Sequence, residues 1–287
     1  MIVAGALAAI GLIVGGGMNA LAQPAFGRQG EPDQAELWFV PSAAAATPSR
    51  AVLHRPPGEG PFRLAIIAHA SSENPLVRAT APPPLYPELT QWLLARGFAV
   101  LIPERPGHGK TGGPYLEAQG GCESADYAGS ARATADSIAA AMDFMLTQSF
   151  IRKDGAVLIG HSAGGLGALA LAARNPKGVA SVIAFAPGRG GRAGDKPGNV
   201  CAEDRLVAAL RDLGTSARLP VTWLVARNDS YFSPDLSRRM AEAFRSGGGR
   251  VDFRELPAFG GEGHWLAEKA TPAQFEDVLG RVRALRR

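Results

Sequence analysis

The chain has 287 residues, 46% of them hydrophobic and 20% charged, and 30 basic against 26 acidic side chains give a formal net charge of +4. That balance excludes a disordered, collagen-like or polytopic membrane chain and suits one large domain or two small ones. The arginines are scattered and no basic cluster is interleaved with aromatics, so they are read as a solvated surface and not as a nucleic-acid site.

No residue from Ile2 to Ala22 is charged, and an apolar stretch, Val3 to Val14, leads through Gly15, Gly16 and Gly17 into Ala20-Leu21-Ala22. This predicts a signal peptide over residues 1–22 with an A-x-A cleavage site, a mature chain beginning at Gln23, and a periplasmic or secreted protein. The usual basic opening is missing, and a retained membrane anchor or a plain apolar tail are the alternatives. Residues 23–49 read as a Pro- and Ala-rich lead-in, and residues 50–287 as one domain without repeat or internal linker.

Within that domain, strands are predicted at Ala51–Arg55, Arg63–Ala68, Phe98–Pro103, Ala156–Gly160, Val179–Phe185, Val221–Ala226 and Val251–Leu256. Most are continuously apolar, as parallel strands buried on both faces are. Helical spacing separates them: Ala135, Ile138, Met142 and Met145, then Leu236, Met240 and Phe244 after Ser233-Pro234. A last helix is predicted from Thr271-Pro272, with Gln274 completing a capping box and Phe275, Val278, Leu279 and Val282 as its stripe. Alternating strands and helices predict a doubly wound, mostly parallel α/β sheet flanked by helices. The two cysteines, Cys122 and Cys201, fall in Gly-rich loops of a chain read as exported, so a disulfide is expected over two buried free thiols. They are too few for a metal site.

The most informative segment is Ala156-Val-Leu-Ile-Gly160-His161-Ser162-Ala163-Gly164-Gly165, a buried strand running straight into a small-residue helix. It fits G-x-S-x-G in the strand, sharp turn, helix context that exposes a serine hydroxyl at the carboxyl edge of a sheet. Gly160 and Gly164 let strand and helix pass closely, and the amide of Ala163 at the helix start points to where an oxyanion would form. On these residues the chain resembles the α/β-hydrolases, near the dienelactone-hydrolase-like and secreted serine esterase groups, over roughly residues 50–287. Dienelactone hydrolase itself uses a cysteine nucleophile, so Ser162 implies ordinary serine-esterase chemistry.

The resemblance implies the chain order Ser, acid, His. Asp229 follows the strand Val221–Ala226 and is the expected acid, with Asp235 and Glu203 as weaker substitutes. His264, in Phe259-Gly-Gly-Glu-Gly-His264-Trp265, is the only histidine after Ser162 and the expected base. His69-Ala70-Ser71 leaves a buried strand and resembles the family's H-G-x oxyanion segment, with Ala70 where glycine is usual. Ser71 is the expected second donor, Ala70 the next choice, and His69 a brace of that loop. His161 is expected to shape the pocket or pack locally, and His54 and His108 are read as strand-end and turn residues.

The loop 105–113 resembles a family segment that walls the site, with Glu104 replacing the common Asp. Residues 186–220, which follow the strand Val179–Phe185, are expected to form a short cap that a Cys122–Cys201 bridge would tie down, leaving the site open. Tyr86, Trp92, Tyr231, Phe232 and Trp265 are candidate pocket aromatics or core residues. Arg189 and Arg192 are read as solvated loop residues, with recognition of an anionic substrate group as the alternative. Together these readings predict a hydrolase of a small-molecule carboxylic ester, needing no metal or organic cofactor and making no stable membrane span once the signal is removed. An exopeptidase or amidase on the same triad, or a non-catalytic binding protein on this scaffold, are the other classes.

Overall fold

The computed structural model describes residues 26–29 and 35–286, so the expected signal peptide over 1–22 lies outside the described residues. In chain order the elements are β1 (Gly27–Gln29), β2 (Ala35–Val40), β3 (Ser49–His54), β4 (Arg63–Ala68), α1 (Pro75–Thr80), α2 (Pro87–Leu94), β5 (Phe98–Glu104) and α3 (Tyr127–Met145). There follow β6 (Ala156–His161), α4 (Ala163–Ala172), β7 (Val179–Phe185), α5 (Glu203–Ser216), β8 (Val221–Ala226), α6 (Pro234–Ser246), β9 (Val251–Leu256), α7 (Leu266–Lys269) and α8 (Pro272–Leu279).

The strands form one sheet in the order β1-β2-β3-β5-β4-β6-β7-β8-β9. From β5 through β4 to β9 every pairing is parallel, and β1, β2 and β3 continue the sheet antiparallel beyond β5. The expected mostly parallel sheet is therefore present, and all seven predicted strands lie within a residue or two of their observed ends. The sheet also begins earlier: β1 and β2 fall inside the segment read as a lead-in. Residues Ala35–Val40 alternate, with Glu36, Trp38 and Val40 buried, as expected for a strand with one face on the core.

Alternation also explains the continuous apolar runs. In β4, Leu64, Ile66 and Ala68 enter one core with α3, α4, α5 and α6, whereas Ala65 and Ile67 enter the other with α2, α7 and α8. Side chains on successive residues point to opposite faces, so a strand covered on both must be apolar throughout. The helix starts read from sequence hold. Ser233 Oγ accepts the amide of Leu236 at the start of α6, and Thr271 with Gln274 forms the capping box of α8.

The region 186–220 departs from the expected cap. Its second half is α5, whose Leu206, Ala209 and Leu210 are buried in the core, because a helical apolar stripe finds a place against α6 and α3. Only the loop 187–202 is left near the site, and a Cys122–Cys201 disulfide with a Cα–Cα separation of 5.0 Å joins it to the loop before α3.

Candidate active site

The strand β6 delivers Ser162 to the carboxyl edge of the sheet, between the ends of β4 and β7. Chain direction across the sheet reverses here, since β5 lies on one side of β4 and β6 on the other, and this is where doubly wound sheets open a crevice. Ser162 has φ 55° and ψ −120°, a conformation that L side chains avoid and that costs about 1–3 kcal/mol. Neighbouring packing imposes it. A Cβ on Gly164 would stand 2.5 Å from the carbonyl oxygen of His69 and closer still to that of Ala68. One on Gly160 would stand 2.5 Å from Cα of Gly165. The Ser162 amide donates to Phe185 O at 3.0 Å, and its carbonyl receives the amides of Leu166 and Gly188. Its hydroxyl makes no hydrogen bond among the described residues and lies on a cavity wall.

Asp229 follows β8 and is buried. Its Oδ1 accepts the amides of Tyr231 at 2.8 Å and Phe232 at 2.9 Å, which leaves Oδ2 for Nδ1–H of His264 at 3.0 Å. This carboxylate therefore sets the histidine tautomer, with the proton on Nδ1 and a lone pair on Nε2. The Tyr231 ring stacks on the imidazole with 4.1 Å between centroids. Burial lowers the His264 pKa against the opposing pull of Asp229. Glu262 straps the two loops together, its carboxylate accepting the amides of Ser230 at 3.1 Å and His264 at 3.0 Å.

At the exit of β4, the Ala70 amide is engaged by the Tyr86 hydroxyl at 3.3 Å, whereas that of Ser71 has no partner among the described residues. The Ala163 amide opens α4, where the first N–H groups have no intrahelical acceptor. Ser71 Oγ lies 2.8 Å from His108 Nε2, and His108 Nδ1–H is directed to the carbonyls of Arg105 and Pro106. His69 donates from Nδ1 to Ala70 O at 2.6 Å and accepts the Arg105 amide on Nε2, the loop brace that was expected. Ser71, Ser162, Ala163, Tyr231, His264 and Trp265 line one cavity of about 1010 Å³.

A family model described as alpha/beta hydrolase fold matches residues 85–199. The fold is that of the α/β-hydrolases. Among solved structures, an esterase of Pyrococcus furiosus superposes with a TM-score of 0.61 at 14% identity, covering 89% of this chain and 90% of that one. A cold-adapted esterase from an Arctic intertidal metagenomic library gives 0.55 at 18%, covering 89% and 100%. A putative dienelactone hydrolase from Klebsiella pneumoniae gives 0.54 at 15%, covering 86% and 98%. No curated protein sequence matches the chain.

Several sequence readings are refined on this α/β-hydrolase scaffold. Arg189 is no solvated loop residue: it is 3% exposed, donates to Glu117 at 2.7 Å and to Glu73 at 2.8 Å, and so has its charge balanced within the protein. Burial would raise the Glu117 pKa, but Arg105 and Arg189 together hold it well below the usual carboxylate range. Arg192 is partly exposed and donates to Ser230 Oγ at 2.9 Å. Among the aromatics, Tyr86, Tyr231, Phe232 and Trp265 line the cavity, while Trp92 packs on Phe275 in the core. His108 is more than a turn residue, since it holds Ser71. His161 lies behind the cavity wall, 1% exposed. Sequence reasoning missed Glu262, Glu117 and Tyr86 as supports, because Glu262 reaches Ser230 32 residues away, Glu117 reaches Arg189 72 away, and Tyr86 reaches Ala70 and His161 16 and 75 away, distances that no local pattern encodes. Asp235 and Glu203, the substitutes for Asp229, pair instead with Arg238 and Arg239. No helix among the described residues is long and apolar enough to cross a membrane.

Proposed function

We propose that the protein is a serine hydrolase that cleaves carboxylic esters through an acyl-enzyme. The observation carrying this reading is the strained Ser162, in the same cavity as a buried Asp229–His264 pair whose proton sits on Nδ1. The esterases among the similar structures support it by analogy.

In the proposed reaction Ser162 Oγ attacks the acyl carbon and passes its proton to His264 Nε2. Asp229 holds the imidazole by Nδ1–H and balances the positive charge that forms. The amides of Ala163 and Ser71 receive the developing oxyanion, where donors fixed in a desolvated site stabilise the transition state most. The tetrahedral intermediate collapses, the C–O bond to the alcohol breaks, and His264 returns the proton to the leaving oxygen. Water then attacks the acyl-enzyme by the same route and releases the acid. Export is part of the proposal. The uncharged N-terminal segment and the Cys122–Cys201 disulfide both fit an oxidising compartment.

The test is hydrolysis of p-nitrophenyl esters from acetate to octanoate by the purified chain, with Ser162→Ala as the blank. Turnover lost in the variant is the expected result. Ester hydrolysis retained by Ser162→Ala would remove the serine from the mechanism, and a folded wild-type protein active on aminoacyl amides but on no ester would move the reading to an amidase or exopeptidase.

A further inference from the structure

The residue beside the nucleophile is buried and holds two parts of the site at once. His161 Nε2 lies 2.8 Å from the main-chain oxygen of His264, and an oxygen there accepts only, so the ring carries its proton on Nε2. On its other side Nδ1 lies 3.3 Å from the Tyr86 hydroxyl. That same hydroxyl oxygen receives the Ala70 amide at 3.3 Å. Tyr86 and His161 are 2% and 1% exposed, so these bonds do not compete with bulk water.

We propose that His161 is a positioning residue for the reaction, fixing the main chain of the base on one side and, through Tyr86, the oxyanion loop on the other. This inference rests on the hydrolase reading above. The physical case follows from the order of the links. The Ala70 amide donates to Tyr86, Tyr86 donates to Nδ1 of His161, and Nε2–H of His161 donates to His264 O. Each bond orients the next, so the base and the amide of Ser71, one residue beyond Ala70, are held in one frame. Tying up the Ala70 amide also leaves Ser71 as the donor free to meet an oxyanion.

The groups facing His161 are Tyr86 at the start of α2, His264 in the turn after β9 and Glu268 of α7, whose Oε1 lies 3.3 Å from Nδ1. They define two alternatives. In the neutral ring, Nδ1 is an acceptor that suits Tyr86 and not a carboxylate. In the charged ring, Nδ1–H would turn to Glu268 and the Tyr86 proton would lose its acceptor. Only with Nδ1 as an acceptor does His161 join Ala70 to His264 in one continuous line of donors and acceptors.

The experiment measures kcat and KM on a short p-nitrophenyl ester for the full chain and for Tyr86→Phe, Glu268→Gln, His161→Gln and His161→Leu, with thermal unfolding as the check on folding. Tyr86→Phe removes one oxygen from a buried ring and should lower kcat by about three- to tenfold with little change in KM. Its loss should exceed that of Glu268→Gln. His161→Gln keeps an N–H that can reach His264 O and should retain more kcat than His161→Leu. A wild-type kcat in Tyr86→Phe, a larger loss in Glu268→Gln, equal losses in the two His161 variants, or an effect confined to KM would each overturn the proposal. Wild-type turnover that does not depend on Ser162 would instead overturn the hydrolase reading beneath it, so the two failures are told apart.

Discussion

At the scale of single residues, two positions answer different questions. Asp229 uses one oxygen on two backbone amides and the other on His264, so Asp229→Asn keeps the shape but presents an amide to Nδ1 and favours the wrong tautomer. We expect kcat on esters to fall by about three to four orders of magnitude with the unfolding temperature little changed. A rate within tenfold of wild type would transfer the acid role to another carboxylate. Gly164 is a matter of space and not of chemistry. Its missing Cβ would meet the carbonyl oxygens of Ala68 and His69, both main-chain atoms that cannot swing aside. Gly164→Ala should therefore destabilise the fold by about 1–3 kcal/mol and lower turnover along with it. Denaturant unfolding beside the ester assay reads both, and an unperturbed midpoint would mean that α4 can shift away from β4.

At the scale of elements, the loop before α3 and the loop 187–202 are joined both covalently and by charge. One tie is the disulfide between Cys122 and Cys201, 79 residues apart, and another is the buried Arg189, which donates to Glu117 and to the Tyr115 hydroxyl. Replacing both cysteines by serine frees the unfolded chain of a long closed loop and should cost about 2–4 kcal/mol. Urea unfolding of the oxidised wild type against the double variant measures it. An unchanged midpoint would show that the charged pairing holds these loops without covalent help. With α5 packed on α6 and α3, the part of residues 186–220 that lines the cavity is this tethered loop.

At the scale of the whole molecule, two histidines buried beside Arg105 contribute to the response to acid. Burial first, and the Arg105 charge second, bring His108 down from the usual 6.5 to about 4 and push His69 well below its ordinary value. Between pH 6.5 and about 4 the unfolded chain therefore binds protons that the folded chain does not. Their contribution to stability is full above pH 6.5 and is lost progressively as the pH falls toward 4. We expect the unfolding temperature to decline over that range, and His108→Asn to flatten part of the slope. A variant with the wild-type slope would show that His108 binds its proton alike in the folded and the unfolded chain.

Much of this architecture is legible in the residues themselves. The strands β4 to β8 announce themselves as apolar runs because a strand buried on both faces has no polar position to spare. The turn around Ser162 is legible because Gly160 meets Gly164 and Gly165 within the same turn, and Asp229 and His264 because each lies in the loop that follows a readable strand. Strands β1 and β2 are not legible in a Pro- and Ala-rich segment, since only the pairing of β2 with β3 and of β1 with β2 decides their place. The place of α5 is not legible either, because an apolar stripe implies burial but not against what. The burial of Arg189, the grip of His108 on Ser71, and the line from Ala70 through Tyr86 and His161 to His264 depend on side chains brought together from distant parts of the chain. Local sequence encodes propensity and period; which buried polar group meets which partner is settled only when the sheet is assembled, because each must find a hydrogen bond in the space that packing leaves.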